Sequence, residues 1–375
     1  MKIYYITNLL MPSEKANGIQ VAYNCESFLN SGAGVELLLP RRFGCKGSDD
    51  ISAFYNIDKT LPVKRIWCLD LFFSKMISGG RILSEIAFAI QSLSFYKFVA
   101  FHLMFKRTDV IYTRDPFLGL FLFFKRRKFL ELHNFPQSWI GKSVYWFLLK
   151  TFSGVIVISE GLKKNVPGNV ILARDGVKKE LFDIETNKAQ ASDLPVFLYS
   201  GSLYEWKGVD LLLKAFKSVS DKALLYIVGG SFDEKDSERL KNIVSDLDIK
   251  NVVFVGHVEY KKTPLYLKTA DFLVLPNMPG SKISELYTSP LKLFEYMLAK
   301  RLIIAADLPS LTEILNEKNS LLFKAGDLKS LEEILRKALD LKNKEKLIDN
   351  AYKDGLNFTW DARSKKILKF INERI

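Results

Sequence analysis

Short apolar runs alternate with stretches of helical periodicity along all 375 residues, and this alternation limits the fold more than any other feature. Runs at 2–7, 35–39, 109–113, 129–132, 155–158 and 170–173 read as strands in the first half. Runs at 196–200, 223–228, 251–255, 272–275, 302–305 and 320–323 do so in the second. Helical stretches such as 20–29 and 143–151 lie between them. Alternating strand and helix is the mark of open parallel sheets, and the length suffices for two of them. The polar stretch 185–194 breaks the pattern and reads as a linker. The expected architecture is therefore α/β, with two doubly wound, Rossmann-like domains. The first covers residues 1–185, the linker 186–194 and the second domain 195–355. A last helical segment, 356–375, has Trp360 near its start. Neither a solenoid-period repeat nor a low-complexity tract interrupts this plan.

In such sheets ligands bind beyond the carboxyl ends of the strands. One turn of this kind stands out, Tyr287 to Met297 (YTSPLKLFEYM). Ser289 suits an N-cap, and Pro290 suits the first helical position, where its missing N–H costs nothing. The free N–H groups of that turn, near Ser289 and Leu291, form an anion site with the helix dipole. Lys292 and Glu295 are three apart and share a helix face. A cation at the helix start and a carboxylate one turn on suit a ligand with phosphates at one end and hydroxyls at the other, as in a nucleotide-sugar. An ordinary amphipathic helix with Leu291, Leu293 and Phe294 in the core is the competing reading. A second turn follows the run 195–200: Gly201, Ser202, then Lys207 and Gly208 before a helical stretch. Gly201 permits close backbone approach and Lys207 offers a counter-charge to a diphosphate. The spacing is not that of a Walker loop.

These segments and their order resemble the retaining glycosyltransferases of GT-B fold, family 4, also described as glycosyl transferases group 1. Residues 201–208 are similar to that family's first donor-phosphate loop. Residues 288–297 are similar to its donor-binding helix, in the variant S-P-L-K-L-F-E-Y-M. Asp307, Pro309, Glu313 and Ile314 follow its D-x-P-x-x-x-E-I stretch. Asn17 and Gly18 resemble its first acceptor-side loop, and Tyr112-Thr113-Arg114, Glu131-Leu132-His133, Ile158-Ser159-Glu160 and Asp175-Gly176-Val177 resemble its triplets. The resemblance covers nearly the whole chain and implies two domains facing across a cleft, with the last helix crossing back to the first domain. It implies donor contacts from Gly201, Ser202, Lys207, Ser289, Leu291, Lys292 and Glu295, with Glu295 accepting from ribose hydroxyls. Lys207 and Lys292 would stabilise the departing diphosphate without a metal. His133 would hydrogen-bond the donor sugar or steady charge at the anomeric carbon; a structural histidine is the alternative. Asn17, Gly18, Arg114 and Arg174 would lie on the acceptor side or in the cleft. Two positions depart from the family. Tyr287 stands where the first Glu of E-x7-E is usual, with Glu285 two residues earlier, and Ser202 stands where Arg is frequent. Asp246 and Asp248 match D-x-D by chance, at the end of a polar helix.

Cys25, Cys45 and Cys68 form no C-x-x-C pair and are odd in number, which fits a reducing cytoplasm rather than a disulfide framework or zinc site. The start of the chain has no long apolar region with a cleavage site. The net charge is +13. Residues 1–185 hold 25 Lys+Arg and 16 Asp+Glu, a surplus of +9 (25 − 16), so the excess sits in the first half. Its cations adjoin apolar runs: 117–124 is followed by Lys125, Arg126, Arg127 and Lys128, and 86–105 ends at Lys106 and Arg107. An anionic membrane surface is the expected partner, and no motif supports nucleic acid. Gln91, Lys97 and His102 argue against a spanning helix over 86–105 and for an interfacial one. The alternative is that both runs are helices packed on a sheet, with the basic cluster in a solvated turn.

The expected function is a cytoplasmic enzyme on the inner face of the plasma membrane. It would move a hexose-type sugar from a nucleoside diphosphate donor to a growing, lipid-linked glycan, with no cofactor. A nucleotide-sugar epimerase of the same fold and a non-catalytic nucleotide-binding partner are the rival readings.

Overall fold

The apolar runs form the strands of two separate parallel sheets. A computed structural model describes residues 1–42, 50–71, 81–184, 193–230, 234–280, 285 and 290–375. It divides the chain into one unit of Met1–Arg174 with Trp360–Ile375, and a second of Asp175–Thr359.

The first unit runs β1 (Lys2–Ile6), α1 (Ala16–Asn30), β2 (Gly34–Arg41), α2 (Ile51–Phe54), β3 (Val63–Trp67) and α3 (Arg81–Met104). It continues with β4 (Val110–Thr113), α4 (Leu118–Phe121), β5 (Lys128–Leu132), α5 (Trp139–Leu149), β6 (Gly154–Val157), α6 (Glu160–Lys163) and β7 (Val170–Leu172). Its sheet has the order β3-β2-β1-β4-β5-β6-β7. The second unit supplies β8 (Val196–Ser200), α7 (Val209–Phe216), β9 (Leu224–Val228), α8 (Glu234–Asp246), β10 (Val252–Gly256), α9 (Thr263–Thr269) and β11 (Phe272–Leu275). It ends with α10 (Leu291–Leu298), β12 (Leu302–Ala306), α11 (Pro309–Thr312), β13 (Leu321–Phe323), α12 (Leu328–Asp340) and α13 (Glu345–Gly355). Its sheet has the order β10-β9-β8-β11-β12-β13. All pairings within both sheets are parallel. The strand order reverses between β1 and β4 in one unit and between β8 and β11 in the other, and at such points the turns beyond the strands part to admit a ligand. The final helix, α14 (Trp360–Asn372), packs on α1 in the first unit.

β3 is a strand the sequence reading lacks. Its Lys64 and Arg65 interrupt the apolar run, as befits the edge of a sheet, where unpaired backbone is kept soluble by charge. The domain boundary also differs from the expected one. Residues 175–184 belong to the second unit, because Val177 and Phe182 are buried in its core. Most of the expected linker, residues 186–192, lies outside the described residues.

The two apolar–basic runs are neither wholly buried nor wholly exposed. Ile82–Met104 is long and apolar enough to cross a membrane. One face of it, with Phe95, Tyr96, Val99 and Leu103, nevertheless packs on Ile6, Leu38 and Ile111 in the core. The other face exposes Ile82, Leu83, Ile86, Leu93 and Phe101. In the next run Leu118 and Leu122 are core residues, while Phe123 stands 80% exposed. Lys128 corrects the solvated-turn reading. It opens β5 and is 4% exposed, with Nζ donating to the Leu122 carbonyl at 2.8 Å.

Candidate functional site

In the second unit β8 ends at Ser200 and the chain turns at Gly201 with φ +138°. A Cβ at Gly201 would lie 2.9 Å from the Lys292 Nζ. Glycine is required by this φ, which L-residues avoid, and any Cβ here would push the Lys292 ammonium aside. The two turns singled out in the sequence therefore meet at one place. The Lys292 stem is partly exposed, but its nitrogen is shielded and lacks a hydrogen-bond partner. It rests 4.2 Å over the Tyr199 ring. Tyr199 is held in turn by donating to the Ser202 carbonyl at 2.5 Å. Lys207 is buried nearby in sequence, its Nζ 3.8 Å over the Trp206 ring.

Among the described residues no carboxylate lies within ion-pair distance of either lysine. Burial pushes Lys207 down to about 8. Burial, and then the charge of Lys207, hold Lys292 well below the usual lysine range, against the pull of Glu295. Two shielded ammonium groups that repel each other and have no counter-ion are stabilised by an anion. Glu295 is buried one turn further along α10. Burial raises its carboxyl, opposed by a hydrogen bond with Tyr260 and by Lys292.

Two details of this turn differ from expectation. Pro290 is the N-cap residue rather than the first helical one, and it gives no side-chain cap. The helix starts at Leu291, so the leading N–H groups are those of Leu291 and Lys292. Ser289 and Tyr287 lie outside the described residues. Glu285 accepts from the Gly280 N–H at 2.6 Å. Asp307 has a structural task, accepting from the Ala325 N–H at 2.6 Å and so tying the end of β12 to the turn beyond β13. Gly201→Ala should lower stability by about 1–3 kcal/mol through backbone strain alone. It should also displace the Lys292 ammonium, so that both the melting temperature and the affinity for a diphosphate fall. Unchanged diphosphate affinity would refute the contact.

In the first unit β5 delivers Glu131, which is 2% exposed. Arg363 of α14 reaches it at 2.8 Å, the Asn24 amide donates at 3.0 Å, and the Tyr112 hydroxyl also donates. His133 Nε2 lies 2.5 Å from Oε1, and Arg114 Nε lies 3.9 Å from the same oxygen. Burial by itself would raise the Glu131 carboxyl, but Arg363, His133 and Arg114 hold it well below the usual range. Burial and the Arg114 charge push His133 down to about 4, outweighing Glu131. The imidazole is therefore neutral at pH 7. A carboxylate only accepts, so Nε2 carries the proton and Nδ1 presents a lone pair.

Arg114 also donates to the Asn17 carbonyl at 3.2 Å and to Gln20 Oε1 at 3.0 Å, joining the start of α1 to Glu131. A Cβ at Gly18 would lie 2.5 Å from the Tyr55 hydroxyl, which bonds the Ser13 carbonyl. His133, Arg114, Asn17 and Gly18 thus gather at the carboxyl ends of β1, β4 and β5. Arg174 does not join them; it follows β7, two strands away from β5. Arg363, Asn24, Tyr199 and Tyr260 were missed from the sequence.

Residues 182–354 match the family described as Glycosyl transferases group 1. The chain is 24% identical over 297 residues to the uncharacterized glycosyltransferase MJ1069 of Methanocaldococcus jannaschii, covering 74% of this chain and 71% of the relative. Its fold is similar to sucrose-phosphate synthase of Thermosynechococcus elongatus, with a TM-score of 0.78 at 16% identity over 100% of this chain and 99% of that one. Anabaena HepE in complex with UDP gives a TM-score of 0.75 at 17% identity, over 100% of both chains. The family match thus lies within the second unit, and the chain has the GT-B fold of two Rossmann-like units.

Proposed function

We propose that this chain is a retaining glycosyltransferase that moves a hexose-type sugar from a nucleoside diphosphate-sugar to a growing, lipid-linked glycan at the inner face of the plasma membrane. The observation that carries the donor half is the pair Lys207 and Lys292, shielded, unpaired and set beside the Gly201 turn. In transfer, the acceptor oxygen bonds to the anomeric carbon as the bond to the diphosphate oxygen breaks. The acceptor proton leaves with the phosphate. The charge that develops on the diphosphate is met by the two ammonium groups and by the N–H groups of Leu291 and Lys292, without a metal. Glu295 accepts from the ribose hydroxyls. Neutral His133 accepts a sugar hydroxyl at Nδ1, held in that tautomer by Glu131. The acceptor is steadied by the Asn17–Arg114 side of the first unit. The membrane half of the proposal rests on the basic, apolar first unit.

Calorimetry with UDP, GDP, ADP and dTDP tests the donor half, with UDP first because HepE holds it. One nucleotide should bind, and Glu295→Ala should weaken it roughly tenfold to a hundredfold, the worth of hydrogen bonds to a charged acceptor. Binding of none of the four would overturn the assignment of Lys207, Lys292 and Glu295.

A further inference from the structure

The face of the first unit that carries α3, α4 and α5 is unusually apolar. These helices cover one side of the sheet, as right-handed crossovers require. Tyr96 of α3 stacks near Phe121 of α4, with ring centroids 5.5 Å apart, and also bonds Asp115. The outer side of α5 exposes Trp139, Ile140, Val144, Trp146 and Phe147, a stripe at helical spacing where a water-facing helix would carry charge.

Two cavities open beside this stripe, at the amino ends of β5, β6 and β7. The first, of about 400 Å³, is lined by Lys125, Arg126, Lys128 and Lys150 and has no carboxylate in its lining. Among the described residues none of these four cations has an ion-pair partner. Lys125 and Lys128 are held by main-chain carbonyls instead, those of Lys106 at 2.7 Å and Leu122 at 2.8 Å. The second cavity, of about 610 Å³, is walled by Trp146, Phe147, Leu149 and Phe152. Lys150 and Phe152 line both, so the two adjoin. A cavity of unpaired cations that continues into one of aromatic rings matches an amphiphile with an anionic head. His133 sits at the carboxyl end of β5 and Arg114 at that of the neighbouring β4, so this place is at the opposite end of the strands from the candidate reaction site.

We propose that the two cavities form one site for a phosphate-bearing membrane lipid. The phosphate lies among Lys125, Arg126, Lys128 and Lys150, and the hydrocarbon chain runs over Phe152, Trp146 and Phe147. The site deepens the membrane reading above but does not require it. It holds a lipid at the amino ends of the strands and takes no part in transfer.

Calorimetry of the full chain with decyl phosphate below its micelle-forming concentration tests the site directly. Decyl phosphate should bind roughly tenfold or more tighter than both inorganic phosphate and decyl maltoside, because charge and chain each contribute. Arg126→Ser/Lys150→Ser and Trp146→Ser/Phe147→Ser should each weaken it by at least about tenfold. Lys365→Ser/Lys366→Ser, exposed on α14, removes the same charge and should change nothing. Decyl phosphate binding no tighter than inorganic phosphate would reduce the site to a free-anion site and overturn the lipid. Equal loss in the α14 control would show diffuse charge and overturn it too. Vesicles of phosphatidylcholine with phosphatidylglycerol then separate the two proposals. With decyl phosphate bound at this site, absence of vesicle binding sinks the membrane reading and leaves the lipid site standing.

Discussion

Arg363→Met should lower the unfolding free energy by about 3–5 kcal/mol, because it leaves Glu131 charged, buried and without its main partner. The two side chains are each 2% exposed and 2.8 Å apart, so solvent does not screen the loss. The sign of the pH dependence follows. In the native protein the Glu131 carboxyl is held below its unfolded value, so it contributes stability above the unfolded value and loses it as pH falls through the folded one. In the variant the largest lowering influence is gone and burial pushes the carboxyl up. Its charged form then opposes folding at neutral pH, and the penalty eases on acidification. Urea unfolding of both proteins should therefore show the largest gap at neutral pH and a narrowing gap toward pH ~4. Glu131→Gln/Arg363→Met should recover much of the loss, since removing both charges leaves no unpaired ion. A gap that does not change with pH would mean that Arg363 acts through packing on Trp360 and not through Glu131.

The same network shows where sequence reading stops. The sheet strands were legible because strands buried in a parallel sheet are apolar runs between turn residues, and the ends of 196–200 and 272–275 coincide with β8 and β11. The Gly201 and Lys292 turns were legible because each is a local pattern. What their sequence does not carry is that Lys292 lies against Gly201, ninety-one positions away, and that aromatic rings rather than carboxylates hold both ammonium groups. Arg363 left no local signal at all. It stands 232 positions from Glu131, on a helix whose pattern reads as an ordinary amphipathic one. The charge of Lys128 was read as surface because it ends a basic run, yet Lys128 opens β5 buried, with its ammonium taken up by the Leu122 carbonyl. Its neighbours Lys125 and Arg126 stay near the surface, so one run serves both the core and a cavity.

Lys292→Met should reduce turnover by roughly a hundredfold to a thousandfold, the worth of one preorganised charge aimed at a developing anion. It should at the same time leave stability unchanged or raise it. A shielded ammonium without a counter-ion opposes folding, and methionine fills the same space without that cost. Opposite signs for turnover and melting temperature separate a binding cation from a structural one, because loss of a structural lysine would lower both. The wild type adds a second readout. Lys207 stands at about 8 and Lys292 well below the usual lysine value, both through burial. A diphosphate beside them raises both values, so binding takes up protons wherever the free lysines have begun to lose theirs. Affinity for the nucleoside diphosphate is then full below the free values and falls as pH rises through and above about 8. Calorimetry in two buffers of different ionisation enthalpy should show proton uptake that grows from pH ~7 to pH ~9 and is diminished in Lys292→Met. Tight diphosphate binding with no proton uptake across that range would place the phosphates away from Lys207 and Lys292, and the chemistry assigned to them would fall with it.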